Sequence, residues 1–239
     1  MVTQEAFLER LAAVRARIDA AARAAGRAGT EITLLPVTKF QPPDAARFAF
    51  AAGLAAVGEN RVQEAAEKRP LCPPALRWEL IGRLQSNKAR AAAAGVFDRV
   101  QSLDSPELAT RLARVRAETS LPPLPVLIQA NTDRDPAKSG VAEFDALRRL
   151  ADAVLALPAL RLEGLMTIPA LDSSTGGTGG ENSRRAFDLL REWRDALAGT
   201  TGAPLPVLSM GMSADLEHAV AAGSTLVRVG TALFGGRAV

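Results

Sequence analysis

The chain has 239 residues, of which 48% are hydrophobic and 23% are charged, the balance of a globular protein with a sizeable core. A net charge of only +3 and the absence of tyrosine argue against a nucleic-acid-binding protein. The single cysteine, Cys72, excludes disulfide scaffolds and cysteine-based metal sites within the chain. No apolar run approaches the roughly 20 residues that span a bilayer, and the N-terminus lacks a signal-peptide core, so we expect a cytoplasmic protein with no membrane contact.

The first predicted elements are a helix and a strand that ends in a lysine. Residues 3–25 carry apolar side chains at helical spacing and are followed by Gly26 and Gly29, so they predict a long amphipathic helix. Residues 32–40 form an apolar run before two prolines and predict a buried strand with Lys39 at its carboxyl end. Parallel α/β sheets bind ligands at that end, where a partly desolvated lysine can condense with an aldehyde or ketone. A solvated lysine that merely follows a strand is the alternative.

Lysine is scarce in this sequence, and its scarcity favours a chemical role for Lys39. Arginine is used almost wherever a positive charge is needed, but a guanidinium stays protonated and cannot form a Schiff base. A lysine therefore indicates a position where arginine would not serve. Among 29 basic residues the only lysines are Lys39, Lys68, Lys88 and Lys138.

Alternating strand and helix patterns fill the rest of the chain. Seven further strands are predicted over residues 54–57, 77–82, 97–103, 125–131, 162–168, 207–210 and 225–230, with helical patterns such as 144–155, 184–197 and 214–222 between them. Eight β-then-α units predict one (β/α)8 TIM barrel over residues 1–239, preceded by an extra N-terminal helix. An open doubly wound sheet is the alternative. The glycine-rich stretch 172–180 lacks a Lys-Ser or Lys-Thr pair and is expected to be a flexible loop over the barrel mouth.

The functional residues of a barrel converge from the carboxyl ends of its strands. Residues 209–215 run from the seventh strand into a helix and offer backbone N–H groups and serine hydroxyls to an anion, and Gly230-Thr231 offers a second set of donors. Barrels commonly hold a phosphate in these two loops. Together with a buried lysine, they predict a site for a phosphorylated aldehyde. The full set of strand-end candidates is Lys39, Asn60, Gln85 to Asn87, Ser102, Asn131, Met166-Thr167, Ser209 to Ser213 and Arg228 to Thr231.

Motifs along nearly the whole chain match one known family. They lie at residues 37–39, 58–64, 81–88, 102–104, 138–141, 164–169, 208–215 and 227–235, and they include Leu-Ser-Met-Gly-Met-Ser-Ala-Asp and Val-Arg-Val-Gly-Thr-Ala-Leu-Phe-Gly. In this combination the chain resembles the pyridoxal 5′-phosphate (PLP) homeostasis protein family of the YggS/PROSC type. The fold of that family is similar to the N-terminal domain of alanine racemase, a fold-type III PLP protein.

The resemblance implies a cofactor and a role for each site residue. Lys39 would form the internal aldimine with PLP, and Arg228 would face the pyridine nitrogen. The phosphate would be bound by Ser213, Gly230 and Thr231 together with Ser209. Asn60 would contact the cofactor or its surroundings, and Met166 would line the site. A permanent cation at the ring nitrogen keeps it unprotonated and weakens the ring as an electron sink. Two residues depart from the family pattern, Thr38 where serine is frequent and Glu79 where histidine is frequent.

The same resemblance implies a PLP carrier that acts in PLP homeostasis and delivery, without strong catalytic activity. Related racemases take their second base, a tyrosine, from an additional domain, whereas this chain has no tyrosine. The single histidine, His218, falls in a predicted helix and is expected to be a surface or packing residue. Candidate partners are PLP-dependent apoenzymes, and a monomer is expected. The alternatives are a weak PLP-dependent amino-acid racemase or lyase and, from another class, a Schiff-base aldolase without cofactor.

Overall fold

The structure is a computed structural model that describes residues 2–170 and 180–236. Eight parallel strands form one sheet in the order β1-β8-β7-β6-β5-β4-β3-β2. A parallel bridge between Val37 and Gly58 joins β1 to β2 and closes the sheet into a barrel. The predicted (β/α)8 barrel is therefore confirmed, and the open sheet is wrong. The strands are β1 Thr33–Pro36, β2 Ala56–Glu59, β3 Arg77–Leu80, β4 Arg99–Leu103, β5 Leu124–Ala130, β6 Leu160–Thr167, β7 Val207–Ser209 and β8 Leu226–Val229.

Helices surround the barrel and fill the connections between its strands. They are α1 Gln4–Ala24, α2 Pro43–Ala51, α3 Val62–Lys68, α4 Ala89–Ala91, α5 Pro106–Ala117, α6 Phe144–Leu155, α7 Glu181–Thr201, α8 Leu216–Ala221 and α9 Thr231–Phe234. The connection after β3 is less regular than the sequence predicts. It passes from a 3₁₀ turn at Ser86–Lys88 through α4 to a π turn at Ala92–Val96, where Gly95 has φ +118°. Such a φ favours glycine, so the helix ends there.

The extra N-terminal helix packs on the last two helices of the chain. The Thr3 hydroxyl caps α1 by accepting a hydrogen bond from the Ala6 N–H at 3.2 Å. Phe7 stacks on Phe234 of α9 with ring centroids 5.4 Å apart. On the same helix, Arg17 pairs with Glu217 of α8 at 2.8 Å. Helix α1 therefore lies against the two connections that follow β7 and β8, which are also the connections that the sequence predicts to bind a phosphate.

The strands bury one face against the helices and the other in the barrel interior. Successive side chains of a strand point to opposite faces, so Leu34 joins the large core under the helices while Leu35 belongs to a separate, smaller apolar cluster. That smaller cluster consists of Leu35, Val37, Ala56, Ile81 and Leu226. Buried polar side chains from β3, β4, β7 and β8 share the interior: Glu79, Gln101, Ser209 and Arg228. A barrel interior that carries polar groups needs them paired, and these residues are.

Candidate functional site

A cavity of about 480 Å³ opens at the carboxyl ends of the strands. This volume lies within the range of small-molecule and cofactor sites. Six of the eight predicted site residues line it: Lys39, Asn60, Ser213, Arg228, Gly230 and Thr231. The other two, Met166 and Ser209, are fully buried and lie outside the lining. They are paired in the β6–β7 register.

Lys39 stands in the turn after β1 and is half-buried. The strand itself is shorter than the sequence predicts, because it ends at Pro36 and only the Val37 bridge extends it. The residue before the lysine is fixed from two sides. The Thr38 N–H donates to the Gly58 carbonyl at 3.0 Å, and its hydroxyl donates to Glu59 Oε1 at 2.7 Å. Threonine at this position thus keeps the hydroxyl that holds the lysine turn against β2.

A buried ion pair supports the same turn from below. Lys68 Nζ donates to the Thr38 carbonyl and to Glu59 Oε1, both at 2.8 Å, and to Glu64 Oε1 at 2.6 Å. Burial raises the pKa of the Glu59 carboxyl, and the neighbouring lysine ammonium counteracts that rise. Glu64 also accepts a hydrogen bond from the Phe40 N–H at 2.6 Å. The backbone on both sides of Lys39 is therefore anchored to α3 and the end of β2.

The connections after β7 and β8 meet at the opposite wall of the cavity. Gly211 has φ +95°, and a Cβ atom there would lie 2.4 Å from the Ala219 Cβ, so the tight turn after β7 requires glycine. Ser213 Oγ accepts a hydrogen bond from the Ala232 N–H at 3.3 Å and joins the two connections. Within the described part of the chain, the N–H groups of four residues here donate to no acceptor: Ser213, Ala214, Gly230 and Thr231. All four residues line the cavity, so this wall offers donors to an anion.

Arg228 forms the polar floor of the cavity. Its Nη1 donates to Ser209 Oγ at 2.7 Å and its Nη2 donates to the Thr167 carbonyl at 2.8 Å. The side chain is 2% exposed, and burial lowers its pKa to about 10 while the nearby Asp215 carboxylate works against that change. A guanidinium with that pKa remains a cation at neutral pH. Burial also raises the pKa of Asp215, whose Oδ1 accepts a hydrogen bond from the Met212 N–H at 2.6 Å.

Gln129 of β5 and the loop that follows this strand supply lining residues that were not predicted from the sequence. Gln129 Nε2 donates to the Ser139 carbonyl at 3.0 Å, and both residues line the cavity. Lys138 Nζ donates to Asp133 Oδ2 at 2.7 Å and to the Ile168 carbonyl at 3.1 Å. Two signals could have found Lys138, since it is one of four lysines and lies in the Lys-Ser-Gly-Val motif.

Other strand-end candidates hold the scaffold instead of lining the cavity. Ser102 Oγ donates to the Gly82 carbonyl at 2.6 Å, and Thr167 Oγ1 donates to the Ala130 carbonyl at 2.9 Å. Asn131 bonds to Asp135 within its own loop. His218 is exposed on α8, as expected. The glycine-rich stretch 172–180 lies outside the described residues except for Gly180, the N-cap of α7.

The described residues show neither a metal cluster nor a membrane helix. Across residues 2–170 and 180–236, no three His, Cys, Asp or Glu side chains are grouped so that they could hold a metal ion. In the same ranges, no helix has both the length and the apolar character needed to cross a membrane. The described lining of the cavity carries amines, guanidinium groups, hydroxyls and amides.

Comparisons with known proteins show the family of the chain. The alanine racemase N-terminal domain family matches residues 10–238. The pyridoxal phosphate homeostasis protein of Escherichia coli K12 is 46% identical over 233 residues, 95% of each chain, and that of Pseudomonas aeruginosa is 46% identical over 230 residues, 96% of this chain and 95% of the relative. PipY of Synechococcus elongatus, solved with PLP bound, is 35% identical with a TM-score of 0.80 over 96% of this chain and all of that one. The chain therefore belongs to the alanine racemase N-terminal domain family and, within it, to the pyridoxal phosphate homeostasis proteins.

Proposed function

We propose that this protein binds PLP and acts in intracellular PLP homeostasis by holding and delivering the cofactor, without strong catalysis of its own. One observation carries the proposal: Lys39 lines one wall of the cavity, hydrogen-bond donors for an anion line another, and the buried Arg228 cation lies at the floor. When bound, PLP supplies an aldehyde that bonds to amines and a ring that withdraws electrons. The relatives named for PLP homeostasis and the PLP-bound PipY support the same assignment.

The donors of the cavity fit the three polar parts of PLP. The four N–H groups after β7 and β8, with the hydroxyls of Ser213 and Thr231, suit the phosphate, because backbone donors in a turn bind anions well. Lys39 supplies the amine that bonds to the aldehyde. Arg228, which uses two of its five N–H groups on Ser209 and Thr167, suits the pyridine nitrogen as a donor. Asn60 lines the remaining wall beside Arg83.

The lining favours holding PLP over transforming an amino acid. Among the residues that the structure describes, the titratable side chains of the lining are Lys39, Arg83, Lys138 and Arg228. A racemase needs a base on each face of the reacting carbon, and the Lys138 amine of this described lining is held by Asp133 and the Ile168 carbonyl. A cation at the ring nitrogen also weakens the electron withdrawal that carbanion chemistry needs. These contacts support the carrier over the weak racemase or lyase, and a turnover assay with amino acids decides between them.

The partners, the oligomeric state and the domain organisation are part of the same proposal. We propose that PLP-dependent apoenzymes receive the cofactor, that the protein is a cytoplasmic monomer, and that residues 1–239 form one PLP-binding domain. In support of a monomer, the exposed large apolar side chains of the described chain lie on separate segments. They are Leu8, Phe40, Leu71, Leu121 and Leu155. Sedimentation of the purified protein at several concentrations tests the monomer, and PLP transfer to an apoenzyme tests delivery.

The visible absorption spectrum of the purified protein tests the cofactor and its anchor together. We expect a visible band that disappears on borohydride reduction and leaves a pyridoxyl group on the peptide containing Lys39. Lys39→Ala should abolish the band and the label, while the matched control Lys88→Ala should keep both, because Lys88 does not line this cavity. A colourless protein that stays colourless with added PLP would contradict the proposal and favour the cofactor-free aldolase.

A second experiment tests the phosphate wall. Ser213→Ala should weaken the binding of PLP by about ten-fold, the effect of losing one hydrogen bond to a charged group, and should barely affect the binding of pyridoxal, which lacks the phosphate. Titration of the apoprotein with both compounds measures the two dissociation constants. An equal loss for both compounds would place the phosphate elsewhere.

A further inference from the structure

A chain of side-chain hydrogen bonds crosses the barrel interior from the cavity floor to the opposite end of the strands. Arg228 Nη1 donates to Ser209 Oγ at 2.7 Å, Ser209 Oγ lies 2.6 Å from Gln101 Oε1, and Gln101 Nε2 lies 2.6 Å from Glu79 Oε2. Ser209 and Gln101 are 0% exposed and Glu79 is 4% exposed. Water therefore cannot replace a lost partner easily, and each bond depends on the next.

The chemistry of its two ends fixes the direction of the chain. A guanidinium can only donate, so Ser209 Oγ accepts from Arg228 and its own proton must go to Gln101 Oε1. That assignment turns the amide so that Gln101 Nε2 donates to Oε2 of the Glu79 carboxyl group, which pairs with Arg99. Every donor thus points from the cation at the cavity toward the anion at the far end. The arrangement permits one orientation of each side chain.

The far end of the chain is anchored outside the cavity. Arg99 Nη1 contacts both carboxylate oxygens of Glu79, at 3.0 and 3.2 Å, and Arg99 also pairs with Glu163 at 2.8 Å. Arg99 begins β4 and Glu79 is the third residue of β3, and both line a second pocket together with the residues that begin β1, β2 and β3, away from the cavity at the carboxyl ends. Glu79 can therefore be the fixed acceptor at the end of this hydrogen-bond chain. This gives a structural role to a residue that departs from the family pattern.

We propose that Gln101 and Glu79 are positioning residues that hold the Arg228 guanidinium in its binding orientation through Ser209. The inference rests on the proposed function, because it assigns these residues to the PLP site. Without Gln101, the Ser209 hydroxyl can rotate, and Arg228 keeps a firm contact only at Nη2, with the Thr167 carbonyl. A long side chain held at one point samples more rotamers. Ligand binding then has to order this side chain, and the entropy lost in doing so lowers the affinity.

A double-mutant cycle separates positioning from a merely structural role. We expect Gln101→Leu to raise the dissociation constant of PLP about ten-fold in the otherwise unchanged protein, and less than about two-fold in the Arg228→Met background. Ser209→Ala cuts the chain nearer to Arg228 and serves as a second, smaller change. Its matched control is Ser224→Ala, another buried serine, whose hydroxyl bonds, among the described residues, to the backbone carbonyls of residues 208, 210 and 226. That control should lose stability without a change in PLP affinity.

The orientation of the Arg228 guanidinium can also be measured in the apoprotein, without the cofactor. In ¹⁵N-arginine NMR, a guanidinium fixed at both Nη atoms rotates slowly about its Nε–Cζ bond, so Arg228 should give separate, sharp side-chain signals that Arg228→Met identifies. Gln101→Leu or Ser209→Ala should broaden or merge them. Equal effects of Gln101→Leu on PLP affinity in the two backgrounds, or unchanged Arg228 signals, would overturn the inference. Failure of the wild-type protein to bind PLP would instead overturn the proposed function, and the NMR comparison would still decide the inference.

Discussion

Replacing the buried lysine beneath the Lys39 turn should destabilise the protein strongly. Lys68→Met keeps the aliphatic stem but removes the ammonium that bonds to Thr38, Glu59 and Glu64. The side chains of Lys68 and Glu59 are 8% and 0% exposed. The substitution leaves the Glu59 carboxylate buried without its cation, and breaking a buried pair in this way costs about 3–5 kcal/mol. Because Glu64 is partly exposed and can regain water, we expect a loss near the lower end, about 3 kcal/mol at pH 8.

The cost of Lys68→Met should depend on pH. Burial already raises the pKa of Glu59, and removing the lysine takes away an opposing influence. A carboxyl whose pKa is higher in the folded than in the unfolded chain binds more protons when folded, so stability falls as the pH rises through the window between the two values. That window begins near the unfolded pKa of about 4.3 and widens upward in the variant. The destabilisation should therefore be smaller at pH 5 than at pH 8.

Urea unfolding followed by circular dichroism at the two pH values measures both effects. Lys88→Met is the matched control, since it makes the same chemical change at a half-buried lysine that has no ion pair among the described residues, and we expect it to change stability by less than about 0.5 kcal/mol. Adding Glu59→Gln to Lys68→Met should recover at least half of the loss. A cost below about 1 kcal/mol at pH 8, or an equal cost at both pH values, would refute the argument.

Two further predictions concern the cavity walls. A Cβ atom on Gly82 would lie 2.4 Å from the Asn60 carbonyl oxygen, so Gly82→Ala should destabilise the protein by about 2 kcal/mol and weaken PLP binding. Its control, Gly199→Ala, lies in open space within α7 and should stabilise the protein by about 0.5 kcal/mol. Urea unfolding and PLP titration compare the two variants. Asp215→Asn retains an oxygen that accepts from the Met212 N–H and removes a carboxyl whose pKa is raised by burial. The free energy of unfolding should therefore fall less between pH 4 and pH 7 in the variant than in the wild type. Parallel plots of unfolding free energy against pH for the two proteins would contradict this.

Residues outside the cavity hold its binding groups in place and should therefore influence the binding of PLP. The backbone before Lys39 is anchored by a lysine from α3, and the Arg228 guanidinium donates to Ser209, whose hydroxyl donates to a glutamine from β4. Neither Lys68 nor Gln101 lines the cavity. Side chains that hold a binding group within a narrow range of positions reduce the entropy that binding must remove. Affinity for PLP should therefore respond to residues that never touch it.

The sequence by itself determined the barrel and six of the residues that line its cavity. Apolar runs with turn formers between them encode strands and helices locally, and eight such units leave few topologies for a compact chain. Since parallel strands end on one face, the residues that follow them must meet there, which is why Lys39, Ser213, Gly230 and Thr231 were predictable. The resemblance of the motifs to one family then gave the cofactor.

Only the tertiary structure decided which buried side chains line the cavity and which support it. Ser209 and Met166 lie at predicted strand ends, yet they are fully buried outside the lining. The partners that decide this come from remote parts of the chain: Ser209 and Gln101 are 108 positions apart, and Arg228 and Thr167 are 61 positions apart. A local pattern shows that a residue is buried, but it does not contain the identity of a partner that only the closed barrel brings within hydrogen-bond distance.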